Sequence, residues 1–373
     1  MKRLSLLLAA LLCLAVTVAG VAAAPAPFKV GVITPLTGGG AGAGIHIKYG
    51  AEMAVDEINA AGGVGGHPLQ AIIVDDAGIP AQSVSAANKL VYQDKVDFMI
   101  GGNISSTVLA HMEVTERAGI PYIVTTASNP QITRPTNKWT VRLHQNDNVQ
   151  AVHLANYLAQ DLKKTKIAVL YDSGDYGVAN RVVFDARLKE FGIAPTIELG
   201  FNWGDKDFMS QLVRIRETKP EVVALFGQQA EAAIITNQMR QIGMDQLIAT
   251  TGGFVVPKYI ELAPGASEGA VGITTFTPFS DDPAAKKFAE DYQKRFNTIP
   301  THHAWNTYEA FKYVLKPLVD KNGTNKAKLN KALHAFKWTA LGNPRYFDKD
   351  GQVVMPSIFI SVQNGFWKPI PKK

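Results

Sequence analysis

The stretch that decides the fold is residues 28–58, FKVGVITPLTGGGAGAGIHIKYGAEMAVDEI. It opens with an apolar run typical of a buried strand, turns through a glycine-rich loop, and continues with the periodicity of an amphipathic helix. The apolar residues of that helix share one face: Ile47, Ala51, Ala54, Val55 and Ile58. A strand joined to a helix in this way is a βα unit, whose strand is buried on both sides of a parallel sheet. The segment therefore predicts an α/β protein.

The same unit repeats along the chain. Helical patterns separate apolar strand candidates, which begin at Phe28, Leu69, Val96, Pro121, Lys166, Glu221 and Gln246. Repeated βα units predict a doubly wound parallel sheet. An irregular stretch rich in Pro, Asn and Thr, TRPTNKWTVRLHQND at residues 133–147, interrupts the series. A second βα series follows it, so the sequence predicts two Rossmann-like lobes.

The predicted lobes are not contiguous in sequence. We expect the chain to cross between them near Val141, near Thr274 and near Val353. The first lobe is predicted to hold residues 28–142 and 275–352, and the second lobe residues 143–274 and 353–373. A chain of 373 residues is long enough for two domains.

The N-terminus carries the pattern of an export signal. Lys2 and Arg3 precede an apolar run that ends in small residues, and Val21 and Ala23 fit the −3/−1 pattern of a signal peptidase site. We predict a signal peptide over residues 1–23, cleaved after Ala23, with an uncleaved anchor as the alternative. The mature protein is then expected in the periplasm.

Composition narrows the function classes. Cys13 is the only cysteine and lies inside the predicted signal, so the mature chain has no disulfide, cysteine nucleophile or thiolate metal site. Removing Lys2 and Arg3 takes the basic residues from 38 to 36 against 32 acidic residues, a net charge of about +4. The basic residues are scattered, which does not favour nucleic-acid binding.

Hydroxyl groups mark the predicted crevice, which lies at the carboxyl ends of the strands. Ser105 and Ser106 follow one strand in GGNISST, and Thr126, Ala127 and Ser128 follow the next strand in TTASNP. A strand-to-helix turn with hydroxyls and unpaired amides can bind a carboxylate. Plain helix capping is the alternative for the serines. Two such turns on neighbouring strands favour an anion site.

Two other motifs could suggest a cofactor site or a metal site, and neither has the expected spacing. The glycines of GGGAGAG invite a dinucleotide interpretation, but Asp75 lies 31 residues beyond Gly44, where about 20 is usual. We interpret this loop as a flexible lip that approaches its neighbours closely. His302 and His303 lack a second ligand pair at helical spacing, so a surface or packed pair is favoured over a metal site. No catalytic residue, metal or cofactor is predicted.

The motifs together resemble a known family. The chain from Phe28 to its end resembles the periplasmic solute-binding proteins of ABC transporters, of the leucine/isoleucine/valine-binding type. The resemblance rests on VGVITPLTG, GAEMAVDEINAAGGVGGHPLQ, VDFMIGGNISST, TTASNPQIT, VLYDSGDYG and the segment from Trp305 to Ala310. It implies a two-lobed clamp of the type I fold with three crossovers, no enzymatic activity, a monomer, and an inner-membrane ABC permease as partner.

The resemblance also assigns roles to residues. Ser105 matches a serine that binds the ligand carboxylate, Thr126 a residue whose carbonyl meets the ammonium, and Ser128 a threonine that holds ligand. Tyr176 matches the closing aromatic residue of the second lobe. Two positions depart from the pattern: Gln228 replaces an aromatic residue, and Gly252 replaces the acid that neutralises the ammonium of an amino acid.

These departures set the ligand that we expect. A buried ammonium without an anionic partner is costly, so the sequence favours a carboxylate without a charged amine, such as an aromatic or hydrophobic acid. Phe226, Phe254 and Tyr176 are expected to form apolar walls. One alternative is a branched-chain amino acid or amide, with an acid such as Asp172 on the ammonium. A remote alternative is an exported nucleotide-dependent oxidoreductase.

Overall fold

The computed structural model describes residues 25–371. The predicted signal segment, with Cys13, lies outside the described residues. Within residues 25–371, no helix combines the length and the apolar character that a membrane-spanning helix needs.

Fifteen strands and twelve α-helices build the described part of the chain. The strands are β1 Phe28–Thr34, β2 Leu69–Asp75, β3 Phe98–Gly101, β4 Tyr122–Val124, β5 Thr140–Arg142, β6 Ile167–Asp172, β7 Ile197–Phe201, β8 Val222–Phe226, β9 Leu247–Ala249, β10 Val271–Thr274, β11 Lys337–Ala340, β12 Asn343–Phe347, β13 Val353–Val354, β14 Ile358–Gln363 and β15 Phe366–Pro369. The helices are α1 Ala41–Ala60, α2 Pro80–Asn88, α3 Ser105–Ala118, α4 Asp147–Asn156, α5 Asp175–Glu190, α6 Met209–Glu217, α7 Gln229–Gln241, α8 Pro257–Leu262, α9 Pro283–Phe296, α10 His302–Glu309, α11 Lys316–Asn322 and α12 Lys326–His334.

Two sheets define two lobes. The first lobe has a parallel sheet of order β2-β1-β3-β4-β5, and the second has a sheet of order β15-β14-β10-β9-β8-β6-β7. In the second sheet β14 is antiparallel to β10 and to β15, while β6 to β10 run parallel. The central strands are buried on both faces, which explains their continuous apolar runs. The predicted α/β fold class is confirmed.

Each lobe has its own hydrophobic core. In the first lobe, Phe276 stacks on Trp305 with ring centroids 5.3 Å apart, and Phe288 meets the same indole edge-on. This core joins β1 and α1 to the late helices α9 and α10, so the chain must return to the first lobe after β10. In the second lobe, Phe184 and Phe226 pack edge-to-face at 5.3 Å.

The strands show where the chain leaves each sheet. The predicted crossings near Val141 and Thr274 fall within or at the end of β5 and β10, which belong to different sheets. Residues Val353–Val354 still pair with β12 in a small third sheet, and the chain joins the seven-stranded sheet at Ile358. The domain boundaries at 142, 274 and 352 remain predictions.

The lobes touch along the edge of the cleft between them. The Asn129 side-chain amide donates to the Asp175 carbonyl at 2.9 Å. The indole of Trp203, from the second lobe, lies over Gly39 of the glycine-rich loop, where an added Cβ would come within 3.0 Å of the ring. The close-approach interpretation of that loop agrees with this packing, because a larger residue at Gly39 would push the lobes apart.

Candidate functional site

A small cavity of about 20 Å³ lies between the lobes. Its lining combines first-lobe residues, second-lobe residues and the segment that joins the lobes: Asn103, Thr126, Ser128, His144, Gln150, Tyr176, Gln228, Gly252, Gly253, His302 and His303. No Asp, Glu, Lys or Arg belongs to this lining of described residues. The cavity is therefore polar without a fixed charge.

The first-lobe wall begins at the ends of β3 and β4. The Thr126 hydroxyl donates to the Gly102 carbonyl at 2.9 Å and lies 3.2 Å from Oδ1 of Asn103. This contact turns the amide of Asn103 so that its Nδ2 atom is buried without a partner among the described residues. A buried donor without a partner costs free energy, which a ligand acceptor in the cavity would recover.

The predicted serine turn lies next to this wall. Ser105 is the first residue of α3 and is buried, and its Oγ atom accepts a hydrogen bond from the Asn129 amide at 3.3 Å. Ser105 is not part of the cavity lining, whereas Ser106 lines a neighbouring pocket. Ala127 is buried, and its carbonyl faces the Arg142 guanidinium. The structure thus brings Thr126 and Ser128 to the cavity and sets Ser105 and Ala127 behind it.

The second-lobe wall is held by a chain of hydrogen bonds. The Gly253 amide donates to the Tyr176 hydroxyl at 2.9 Å, and that hydroxyl is 2.7 Å from the Thr251 hydroxyl. Thr251 in turn donates to Asn180, whose amide donates to Asp147. Burial raises the pKa of Asp147 to about 6. This series of hydrogen bonds fixes the ring of Tyr176 beside the cavity.

Gly252 occupies the position where the family resemblance expects an acid. Its amide donates to Oε1 of Gln150 at 3.1 Å. A Cβ atom on Gly252 would lie 3.4 Å from that oxygen, 3.5 Å from Nε2 of His302 and 3.6 Å from Nε2 of His144. Two imidazoles and one amide therefore border the position above this glycine.

Three histidines form the wall that sequence reasoning missed. The rings of His144 and His302 stack at 5.2 Å with 10° between their planes, and His303 lies 3.9 Å from His302. Burial lowers the pKa of His302 to about 3 and holds the pKa of His144 and of His303 well below the usual range. All three rings are therefore neutral at pH 7. The sequence held one indication for His144: it lies in the segment predicted to cross between the lobes, and such a segment passes beside the cleft.

The structure corrects the expectation that Phe226 and Phe254 form apolar walls of the cavity. Phe254 is buried in the second-lobe core against Tyr259, with ring centroids 4.6 Å apart, and Phe226 packs against Phe184. Neither residue lines the cavity, because both point into the core on which the lobe depends. Gln228 does line the cavity, together with Tyr176.

Two further pockets adjoin the cavity. One of them includes Ser106 and Asp172, whose pKa burial raises to about 7 and whose Oδ2 atom has no partner among the described residues. The other is mainly apolar, includes His302 and is lined by both lobes, with Phe276, Ile299 and Trp367 among its residues. Apolar surface is thus available beside the histidines.

Comparison with known proteins identifies the fold and the family. The family described as "Periplasmic binding protein" matches residues 27–366. The chain is 32% identical over 354 residues to the Leu/Ile/Val-binding protein homolog 3 of Brucella melitensis, covering 93% of this chain and 94% of that one.

Two solved structures are similar over the same range. A leucine-binding protein of Thermotoga maritima superposes with a TM-score of 0.85 and 25% identity, covering 92% of this chain and 97% of that one. A solute-binding protein of an ABC transporter from Rhodopseudomonas palustris, in complex with 3,4-dihydroxybenzoic acid, superposes with a TM-score of 0.84 and 23% identity. It covers 92% of this chain and 96% of that one.

Proposed function

The chain belongs to the periplasmic binding protein family, whose members are solute-binding receptors and not enzymes, and from this premise we propose its ligand. We propose that it is the extracytoplasmic receptor of an ABC importer and binds a small organic carboxylate without a charged amine, such as an aromatic or hydrophobic acid. Contacts from both lobes stabilise the closed state over the open one, and no bond is made or broken.

The observation that carries the proposal is the absence of charge around the cavity. An ammonium group enclosed there would meet hydroxyls, amides and neutral imidazoles, but no carboxylate among the lining residues. Burying an unpaired charge costs several kcal/mol, far more than burying a neutral group of the same size. The oxidoreductase alternative is set aside, because the family consists of receptors.

A carboxylate is served by a different set of groups. We propose that it lies near the N-terminus of α3, where unpaired amides and the positive end of the helix dipole favour an anion. On that wall the Asn103 amide is a donor without a partner among the described residues, and the Thr126 hydroxyl contacts its oxygen. Ser128 adds a hydroxyl to the lining, and Ser105 supports the wall through Asn129. Tyr176 and Gln228 contact the ligand from the second lobe.

A second candidate ligand is a branched-chain amino acid or amide. Curated relatives are named Leu/Ile/Val-binding proteins, and the buried carboxylate of Asp172 lines the next pocket with one oxygen unpaired. A ligand that extends from the cavity to that pocket would place its ammonium near Asp172. The two candidates therefore differ in whether the group at the second-lobe end carries a positive charge.

Thermal shift separates these ligands. A ligand that binds only the folded state stabilises it by RT ln(1 + [L]/Kd), so melting midpoints rank a panel of compounds. We expect benzoates and 2-oxo acids to raise the midpoint more than leucine or valine does. A clear shift with leucine and none with its 2-oxo acid would favour the amino acid candidate. Mass spectrometry of molecules that co-purify with the protein would identify the natural ligand directly.

Membership of the family supports a proposal for location and partner. We propose a periplasmic, monomeric protein that is exported by the signal in residues 1–23 and delivers its ligand to an inner-membrane ABC permease. Fractionation of cells that express the full chain tests the location, and N-terminal sequencing of the periplasmic protein tests cleavage after Ala23. A full-length product in the membrane fraction would favour the uncleaved anchor.

A further inference from the structure

His302 is a buried imidazole with an unused polar atom. Its side chain belongs to a residue only 1% exposed, and Nδ1 has no hydrogen-bond partner among the described residues. Nε2 lies 3.5 Å from the position of a Cβ on Gly252, and the two residues line the cavity together. Buried polar atoms are nearly always paired, so each exception needs an explanation. A neutral ring whose Nδ1 atom has no partner can carry its proton on Nε2, the nitrogen nearest Gly252, and donate it to a ligand group in the cavity.

The neighbouring histidines hold this ring rather than compete with it. His144 meets amide groups at both nitrogens: Gln150 at 3.0 Å and Asn306 at 3.2 Å. Its ring is thereby fixed and stacks on His302. His303 has its Nδ1 atom 3.3 Å from the Thr301 hydroxyl, and its ring centroid lies 3.9 Å from that of His302. His144 and His303 are thus positioning residues for His302.

The surroundings keep the imidazole uncharged. The titratable groups that face it are His46 of α1, His144 and His303, with Tyr176 on the opposite wall. Burial is the main cause of the low pKa of His302, and His46 lowers it further. A neutral imidazole has one donor and one acceptor nitrogen. A hydroxyl group also donates and accepts, so it complements the ring without placing a charge in the cavity.

We propose that His302 is a specificity-determining residue that hydrogen-bonds an uncharged hydroxyl group of the ligand above Gly252. The ligand is then a hydroxylated carboxylate. This inference rests on the proposed function, in which the carboxylate is held at the first-lobe wall. It adds the second polar group of the ligand and the residue that recognises it.

Matched pairs of acids test the inference. Titration calorimetry on the mature protein would compare 4-hydroxybenzoate with benzoate, and 2-hydroxy-4-methylpentanoate with 4-methylpentanoate. We expect the hydroxylated acid of at least one pair to bind about tenfold or more tightly, because its loss leaves His302 unpaired. His302→Leu should reduce that ratio to within about threefold, mainly by weakening the hydroxylated acid.

Control variants separate recognition from folding. His302→Gln keeps a donor and an acceptor and should retain part of the preference. His334→Gln changes a histidine on the surface away from the cavity and should keep the whole ratio. Melting curves of each variant show whether the fold is intact, and if His302→Leu does not fold, His302→Met takes its place as the variant without a hydrogen-bonding nitrogen.

The outcomes distinguish the two proposals. Carboxylates that bind with no preference for the hydroxyl, or with a preference that survives His302→Leu, would overturn the role of His302 and leave the proposed function standing. Binding enthalpies that depend on the ionisation enthalpy of the buffer would reveal proton uptake, and would show that the group at His302 is an anion. Failure of every carboxylate to bind would overturn the proposed function itself.

Discussion

The two walls of the cavity differ in how they are built. The first-lobe wall consists of side chains that are buried and partly unsatisfied, with the amide of Asn103 and the ring of His302 as the main examples. On the second-lobe wall, Tyr176 lies in a continuous hydrogen-bond chain, and Gly252 and Gly253 contribute only backbone. Unsatisfied groups select a ligand, while a satisfied and rigid wall closes over it. We therefore expect first-lobe variants to change which ligand binds and second-lobe variants to change how long it stays.

The largest effect should come from placing a charge on the second-lobe wall. Gly252→Glu has room for its Cβ, since the nearest atoms are 3.4 Å or more away. The ligand carboxylate is proposed at the opposite wall of the cavity. Two like charges about 6 Å apart repel by about 3 kcal/mol at an effective dielectric constant of about 20, so carboxylate binding should fall roughly a hundredfold. Calorimetry measures this fall, and leucine affinity should rise.

Gly252→Gln is the matched control for that variant. It has nearly the same shape without the charge, so it isolates the electrostatic part of the effect. If Gly252→Glu and Gly252→Gln weakened benzoates equally, steric filling of the space would explain the loss. The idea that this glycine sets the preferred ligand charge would then fail.

A smaller effect is expected from breaking the hydrogen bonds of the second-lobe wall. Tyr176→Phe removes the hydroxyl that links Gly253 to Thr251, which leaves buried partners unpaired at a cost of about 1–3 kcal/mol. Part of this cost should appear as faster ligand dissociation, because variants within one interface act mostly on that rate. Stopped-flow dissociation measures it.

Tyr176→Ala provides the test of closure. Small-angle scattering with saturating ligand would show whether the variant still compacts as the wild type does. Equal compaction and an unchanged dissociation rate would mean that Tyr176 is not part of the clamp, and the contrast between the walls would be lost.

A further prediction concerns the first-lobe wall. Ser105→Ala should weaken carboxylate binding by roughly 1–3 kcal/mol, with folding changed by only about 1 kcal/mol. The structure gives the route, since Ser105 accepts from the Asn129 amide and so positions the turn that carries Ser128. Ser106→Ala is the matched control in the neighbouring pocket. Unchanged affinity in calorimetry for Ser105→Ala would indicate that the serine only caps α3.

The smallest expected effect is a pH dependence of protein stability, caused by His302 in the first-lobe wall. The pKa of His302 is about 3 in the folded protein against 6.5 ordinarily, so its stabilising contribution is present above pH 6.5 and is lost as the pH falls toward 3. Between about pH 8 and pH 5.5 it should remove about 1.4 kcal/mol from the free energy of unfolding. His302→Gln should lose that much less than the wild type.

The quantity to compare is the change in the free energy of unfolding between the two pH values, in the wild type and in His302→Gln. Only the difference between the two proteins is informative, because buried carboxyl groups change the stability of both in the opposite direction. The pKa values of Asp147 and Asp172 are raised to about 6 and about 7, so these groups favour the folded state as the pH falls. Denaturant titrations of both proteins at the two pH values cancel that contribution. If stability depended on pH identically in the wild type and in His302→Gln, His302 would be hydrated in solution and the first-lobe wall would be accessible to water.

Some of the site was visible in sequence because it depends on local order. Thr126 and Ser128 follow β4 directly, and the carboxyl ends of parallel strands point to one edge of a sheet, so their meeting at the cavity could be predicted. Phe254 could not be placed in this way. It also follows a strand, but the short turn Gly252–Phe254 rotates its ring into the core, and no pattern in the sequence shows that rotation.

The sequence by itself determined the α/β class, the two-lobed division and the hydroxyl-rich turns, because burial on both faces of a parallel sheet and strand order leave a periodic trace in the chain. Only the tertiary structure decided the chemistry of the cavity. His144 and His302 are far apart in sequence, and they stack because the crossing after β5 and the start of α10 meet beside the cleft. Burial at that meeting point, which no single segment encodes, makes the imidazoles neutral and places them beside Gly252 in the lining of the cavity.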